Sequence, residues 1–159
     1  MTTHLFGFVF AAILCLMTSV ADAAGFRLID VPADAEGPAM RGAIWSPCAM
    51  PPQEVDIDGM ALPGVKDCPI LGGMLPLVVI SHGRTGSFLG HHDIAETLAD
   101  AGVIVVAINH PGDTSTDKSR SDDLSAFVDR PTDIKRLIDF MLQASPFASN
   151  IDSQLRGNS

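Results

Sequence analysis

The segment Leu77-Val78-Val79-Ile80-Ser81-His82-Gly83-Arg84-Thr85-Gly86-Ser87 constrains this chain more than any other. An apolar, β-branched run stops abruptly at His-Gly and opens into a loop that carries glycines. A strand covered on both faces reads as a continuous apolar run, not an alternating one. Residues 77–81 therefore predict a buried parallel strand. The loop after such a strand lies at the carboxyl edge of the sheet, where open α/β folds place their ligands. Glycines there let backbone N–H groups approach an oxyanion with no Cβ in the way.

The elements around this segment extend the pattern. Residues 93–101 predict a helix with Ile94, Leu98 and Ala101 on one face and Gly102 at its end. Residues 103–108 form a second apolar run. Strand, loop, helix, strand is a βαβ unit, which implies parallel strands and a right-handed crossover. Upstream, residues 25–31 and 40–46 read as short strands joined by a turn containing Pro32, Gly37 and Pro38. They predict a hairpin at a sheet edge. Residues 109–125 carry Asp113, Asp117, Asp122 and Asp123 among serines and threonines and read as a solvated loop. Beyond it, Pro131 suits a helix's first turn and Asp133 its positive end. Ile134, Leu137, Ile138, Met141 and Leu142 then share one apolar face, and Pro146 ends the run. The fold class is α/β: an edge hairpin, then a βαβ unit and a following helix.

Charge and cysteine usage bound the setting. The chain has 159 residues, enough for one domain, and a formal net charge of −9. An acidic chain without basic clusters argues against nucleic acid and anionic membrane surfaces as partners. Residues 5–20 are almost wholly apolar, and Ala21-Asp22-Ala23 places small residues at −3 and −1 of a cut before Ala24. That is the pattern of a signal peptide over residues 1–23, with a weakly basic start. The run is short for a membrane span. The expected product is residues 24–159, exported to the periplasm or the medium, with no membrane association after cleavage. Cys48 and Cys68 remain in it, flanking a loop with Pro51, Pro52, Gly59, Pro63 and Gly64. In an oxidising compartment a disulfide closing residues 48–68 is reasonable. Two free thiols are the alternative. Two cysteines without a nearby histidine do not make a tetrahedral metal set.

Each polar candidate has a plain reading beside a functional one. His82 sits at a strand end, where its ring can bond loop backbone instead of moving protons. His110, before Pro111-Gly112, falls at the same sheet edge and either lines a cleft or builds a turn. His91-His92 resembles a metal pair, but adjacent helical side chains point about 100° apart, so capping by Asp93 is the better account. Arg130 is read as a loop anchor and Trp45 as core. The Asp113–Asp123 region lacks the alternating ligands and closing Glu of a calcium loop.

Five pieces in order carry a family resemblance. They are Leu62-Pro63-Gly64-Val65-Lys66-Asp67-Cys68-Pro69, Leu75-Pro76-Leu77-Val78-Val79-Ile80-Ser81-His82-Gly83, and Leu98-Ala99-Asp100-Ala101-Gly102. Ala107-Ile108-Asn109-His110-Pro111-Gly112-Asp113 and Arg130-Pro131-Thr132-Asp133-Ile134 complete the set. Over residues 25–152 the chain resembles the amino-terminal half of a bacterial α/β-hydrolase. The resemblance is to the dienelactone hydrolase group related to platelet-activating-factor acetylhydrolase. It implies a carboxylic-ester hydrolase acting on a small ester, with no cofactor and no metal. It also implies that His82, Gly83, Arg84, Thr85, Gly86 and His110 form the oxyanion hole and substrate cleft, with the Arg84 N–H as one donor.

The departure from that family is as informative. Its enzymes follow the Arg-Pro-Thr-Asp helix with a strand and Gly-x-Ser-x-Gly, and the acid and histidine come later. Asn150-Ile151-Asp152 stands where that strand is introduced, and Gly-x-Ser-x-Gly occurs nowhere. The expectation is a truncated or fragmentary hydrolase domain, stopping before the nucleophile elbow. It has no nucleophile, acid or base of a triad and is inactive alone. An exported, non-catalytic binding or remnant protein is the alternative. A nucleotide-binding module is disfavoured, because Gly83, Gly86 and Gly90 match neither a dinucleotide fingerprint nor a P-loop.

Overall fold

The structure is a computed structural model and describes residues 23–155. The expected signal peptide lies outside the described residues, apart from Ala23 at its end.

Six strands form one mixed sheet in the order β3-β4-β1-β2-β6-β5. Strands β1 (Gly25–Val31) and β2 (Met40–Ser46) make the expected antiparallel hairpin. Strands β5 (Leu77–Ser81) and β6 (Ile104–Ile108) pair in parallel, Leu77 opposite Ile104 through Ser81 opposite Ile108. Helix α1 (His92–Asp100) connects them, so the βαβ unit forms as its apolar runs predict. β2 joins the two halves by pairing antiparallel with β6. At that seam Gly42 pairs with Ile108, and a Cβ on Gly42 would overlap the carbonyl oxygen of the neighbouring Ala107.

Alternation along the central strands divides the core between two faces. Ile104, Val106 and Ile108 pack on one side with Met40, Ile44, Leu137 and Met141. Val105 and Ala107 pack on the other with Phe26, Trp45, Ala95 and Ala99. α1 thus covers one face and helix α2 (Ala126–Asp139) the other.

Three details depart from the sequence expectations. First, the cysteine-bounded loop contains a hairpin, β3 (Gln53–Ile57) and β4 (Met60–Lys66), turned by Asp58 and Gly59 at φ 55° and 84°. Two consecutive positive φ values suit the type I′ hairpin turn. β4 meets β1 only at Gly25 and Phe26, so the rest of β1 remains an edge. Cys48 and Cys68 are joined by a disulfide, Cα–Cα 6.0 Å, at the foot of this hairpin. Second, α1 buries Ala95 and Ala99, while Ile94 is exposed. Its N-cap is His91 and no side chain caps it, so Asp93 sits in the first turn without the capping role expected of it. Third, α2 starts at Ala126 and Pro131 lies inside it. Pro131 has no N–H to offer the carbonyl one turn back, and that carbonyl belongs to exposed Phe127. Asp133 consequently sits mid-helix and buried, not at the helix's positive end.

After α2 the chain runs through a π-helical turn (Phe140–Ala144) and returns to the sheet. Ile151 forms a parallel bridge with Leu75, immediately before β5. Leu75 N–H donates to the Asn150 carbonyl and Asp152 N–H to the Leu75 carbonyl, both at 2.8 Å.

Candidate functional site

Strands β5 and β6 are parallel, so their carboxyl ends open onto one edge of the sheet. β5 delivers Ser81 and the loop His82-Gly83-Arg84-Thr85-Gly86 there, and β6 delivers Asn109 and His110. Asn109 fixes the start of the α1 segment, its side-chain oxygen accepting the Phe88 N–H at 2.8 Å.

His82 is buried and fully committed. The His110 backbone N–H donates to its Nε2 at 3.2 Å. A backbone amide can only donate, so Nε2 is an acceptor. Nδ1 then carries the proton and donates to the Gly83 carbonyl at 2.7 Å. Burial first, then the nearby His110 and Arg130, push the imidazole below its usual pKa. His82 is a neutral bracket between the two strand ends, in line with the backbone-bonding reading of its ring.

The loop amides divide sharply. Thr85 N–H donates to Asp113 Oδ1 at 2.8 Å, and Gly86 N–H to the Gly83 carbonyl at 3.0 Å. Both are spent on holding the loop. Thr85 adopts φ 55°, and a Cβ on Gly86 would crowd the Gly83 carbonyl and the His82 ring at 3.0–3.1 Å. The amides of Gly83 and Arg84 have no acceptor among the described residues. A Cβ built on Gly83 meets nothing within 4 Å, so its surroundings are open. Of the four residues after His82, Gly83 and Arg84 are therefore the ones whose amides are able to donate to a ligand. The Arg84 side chain is not simply solvated: it bonds the Ser121 carbonyl at 2.9 Å and pairs with exposed Asp122.

Arg130 ties the edge together. It donates to Asp113 Oδ2 at 3.1 Å, to Ser81 Oγ at 3.0 Å, and to the His82 carbonyl. Asp113 is buried between Arg130 and Thr85, which corrects the reading of that region as uniformly solvated. The other acids of the region do behave as loop residues. Asp117 is held below the usual carboxylate range by the Ser119 side chain and then its N–H, and Asp123 by the Ser125 N–H and then its side chain.

The arrangement that sequence reasoning missed lies beneath Ser81. Ser81 Oγ is 2.9 Å from His110 Nε2, and His110 Nδ1 is 2.9 Å from Asp133 Oδ2. His110 and Asp133 are buried, whereas Ser81 is exposed at the strand end. The hydrogen-bond order serine, histidine, aspartate is present although Gly-x-Ser-x-Gly is not. Behind Asp133 stands buried Arg136, Nη1 to Oδ1 3.7 Å, itself anchored on Asp34 and the Pro32 and Gly37 carbonyls.

His91 and His92 do not form a metal pair. His92 Nδ1 bonds the Leu89 carbonyl at 3.0 Å, and no three His, Cys, Asp or Glu side chains converge as a metal set among the described residues.

Comparison with known proteins gives the fold. No family model and no curated protein matches the chain. Among solved structures it is similar to a ferulic acid esterase from Streptomyces cinnamoneus, with a TM-score of 0.60 and 18% identity. The match covers 86% of this chain and 50% of the esterase, so the chain spans about half of that protein's length. The six-stranded mixed sheet with its helices is thus an α/β fold of the kind found in an esterase.

Proposed function

We propose that this chain is the amino-terminal part of an exported carboxylic-ester hydrolase of the dienelactone hydrolase and platelet-activating-factor acetylhydrolase type. The observation that carries the reading is the pair of unengaged amides, Gly83 and Arg84, on a braced loop at the carboxyl edge of β5. Ester hydrolysis passes through a tetrahedral oxyanion, and preorganised N–H donors are the main means of stabilising it. A loop whose Thr85 and Gly86 amides are already committed presents these two without rearrangement.

The remaining machinery has a place to dock. β5 is the outer strand of the described sheet, and the Ile151–Leu75 bridge already lays the returning chain along its free side. A strand continuing from Ile151 would pair with β5 and bring its own carboxyl end beside the loop of residues 82–86. A nucleophile elbow at that position would face the two amides. The half-length match to the ferulic acid esterase supports this division of parts. The substrate is then a small carboxylic ester, bound without cofactor, metal or nucleic acid.

Export rests on residues 1–23 and on the Cys48–Cys68 disulfide, a bond that persists in oxidising compartments. No helix among the described residues is long and apolar enough to cross a membrane, which is compatible with that reading.

The test is the gene beyond codon 159 and the product it encodes. An in-frame strand leading into Gly-x-Ser-x-Gly, in a protein that hydrolyses p-nitrophenyl acetate and loses this on substitution of that serine, is the expected result. A frame with no such elbow, or an extended protein with no ester turnover, would refute the reading.

A further inference from the structure

We propose that the side chain of His82 is a positioning group that aims the Arg84 amide at the developing oxyanion. The inference rests on the oxyanion-loop reading and deepens it, by assigning the group that sets the direction of one donor.

The argument starts from the peptide plane. A trans peptide is planar, so its N–H and its C=O point in opposite directions. No cis peptide occurs among the described residues. The Arg84 N–H therefore shares a plane with the Gly83 carbonyl, and whatever holds that oxygen sets where the N–H points. Two donors hold it. His82 Nδ1 donates at 2.7 Å from the end of β5, and the Gly86 N–H donates at 3.0 Å from the far side of the loop. A carbonyl oxygen has two lone pairs with which to meet them.

The two bonds do different things. The Gly86 bond closes the turn, but it ties one part of the loop to another. The His82 bond refers the plane to the sheet, because the ring is itself fixed by the His110 N–H, which reaches Nε2 at 3.2 Å from just beyond β6. That amide can only donate, so the neutral ring carries its proton on Nδ1, on the side of the Gly83 carbonyl. Burial keeps the ring neutral and so keeps this tautomer. Gly86 is the residue that permits the arrangement. A Cβ there would lie 3.1 Å from His82 Nδ1 and 3.0 Å from the Gly83 carbonyl oxygen.

The preceding plane is built in the same way. The Gly83 N–H lies opposite the His82 carbonyl, and that oxygen accepts from Arg130. Each open amide is thus the free end of a peptide whose carbonyl is pinned. An oxyanion donor is effective to the extent that it needs no reorganisation when charge develops. Pinning the carbonyl leaves the N–H both unengaged and directed.

The test is the motion of the Arg84 N–H, read as its NMR order parameter in the full chain labelled with 15N. Two substitutions separate the two bonds of the ring. His82→Asn puts an amide N–H near the place of Nδ1, which keeps the donor to Gly83 and loses the acceptor for His110. His82→Gln reaches the place of Nε2 with its oxygen, which keeps that acceptor and loses the donor. In a merely structural role, loop order would follow melting temperature whichever bond is lost. The proposal expects the reverse. Arg84 should stay near the rigid value of about 0.85 in the wild type and in His82→Asn, although that variant melts lower, and fall below about 0.6 in His82→Gln. A rigid Arg84 N–H in His82→Gln, or equal loosening in both variants, would overturn the proposal. The wild-type ring supplies a check that needs no variant: 15N shifts showing the proton on Nε2 instead of Nδ1 would overturn it as well. These readouts need no turnover, so their failure is told apart from that of the ester-hydrolase reading, which the elbow serine decides.

Discussion

His110 Nδ1 lies 2.9 Å from Asp133 Oδ2, a buried bond that joins the end of β6 to the middle of α2. The two residues belong to different layers of the fold, so this contact joins the Arg130 bonds and the packing of Leu137 in holding the helix over the carboxyl edge. Replacing Asp133 with Ala leaves a buried imidazole N–H without its acceptor. A hydrogen bond to a charged group contributes about 1.5–3 kcal/mol, so Asp133→Ala should lower unfolding stability by about 2 kcal/mol. Urea titration monitored by the fluorescence of Trp45 would measure it.

His82 gives the chain a pH dependence with a definite sign. Burial depresses its folded pKa below the usual histidine value. Between the folded and unfolded values the unfolded chain binds more protons, so stability rises with pH across that window. The loss begins as pH falls below about 6.5, the unfolded value, and is complete below the folded one. The structural reason is that a proton on Nε2 would displace the His110 N–H bond. Melting temperatures between pH 7 and pH 5 should fall more steeply in the wild type than in His82→Gln. Equal slopes would remove His82 from the account.

The disulfide and export can be checked together. Mass spectrometry of periplasmic material should show a start at Ala24 and a mass two hydrogens below the reduced chain. Intact Met1 with two alkylatable thiols would contradict both. Closing the 20-residue separation between Cys48 and Cys68 should stabilise by about 3 kcal/mol, so reduction should shift the urea midpoint downward by that equivalent.

Gly42 tests the seam of the sheet. A side chain there would strike the Ala107 backbone, which cannot move without breaking the β2–β6 pairing. Gly42→Ala should cost about 1–3 kcal/mol, the usual range for overpacking. The same change at Gly83, where the space is open, should cost little.

How far these features could be read from the sequence depends on where their signal lay. β5 and β6 were legible because both are unbroken apolar runs, and the returning chain at Ile151 because its position follows the Arg-Pro-Thr-Asp helix. The β3–β4 hairpin was obscured by prolines and glycines, although Asp58-Gly59 is itself a hairpin-turn dipeptide. The buried face of α1 is built on Ala95 and Ala99, whose small side chains give a weak apolar signal beside exposed Ile94. Pro131 suggested a helix start because proline is usual there, yet exposed Phe127 lets solvent serve the carbonyl it leaves unpaired. The loop residues 82–86 could be located but not sorted, since only contacts with Asp113 and Gly83 separate spent amides from open ones. Ser81, His110 and Asp133 lie 29 and 23 positions apart. No local motif links them, and only the strand order and the helix placement bring them together.

The loop's role is tested most directly by Gly83→Val in the extended, elbow-bearing enzyme, with turnover of p-nitrophenyl acetate and melting temperature measured side by side. A branched side chain at Gly83 would block approach to the open amides, while the space around that Cβ spares the fold. Loss of one oxyanion donor costs about 100- to 1,000-fold in turnover. The account predicts a loss of about that size with little change in melting temperature, and a much smaller loss for Arg84→Ala, whose contribution comes from its backbone. Unchanged turnover in Gly83→Val, or a collapse of turnover in Arg84→Ala with stability intact, would contradict the assignment of this loop as the oxyanion hole.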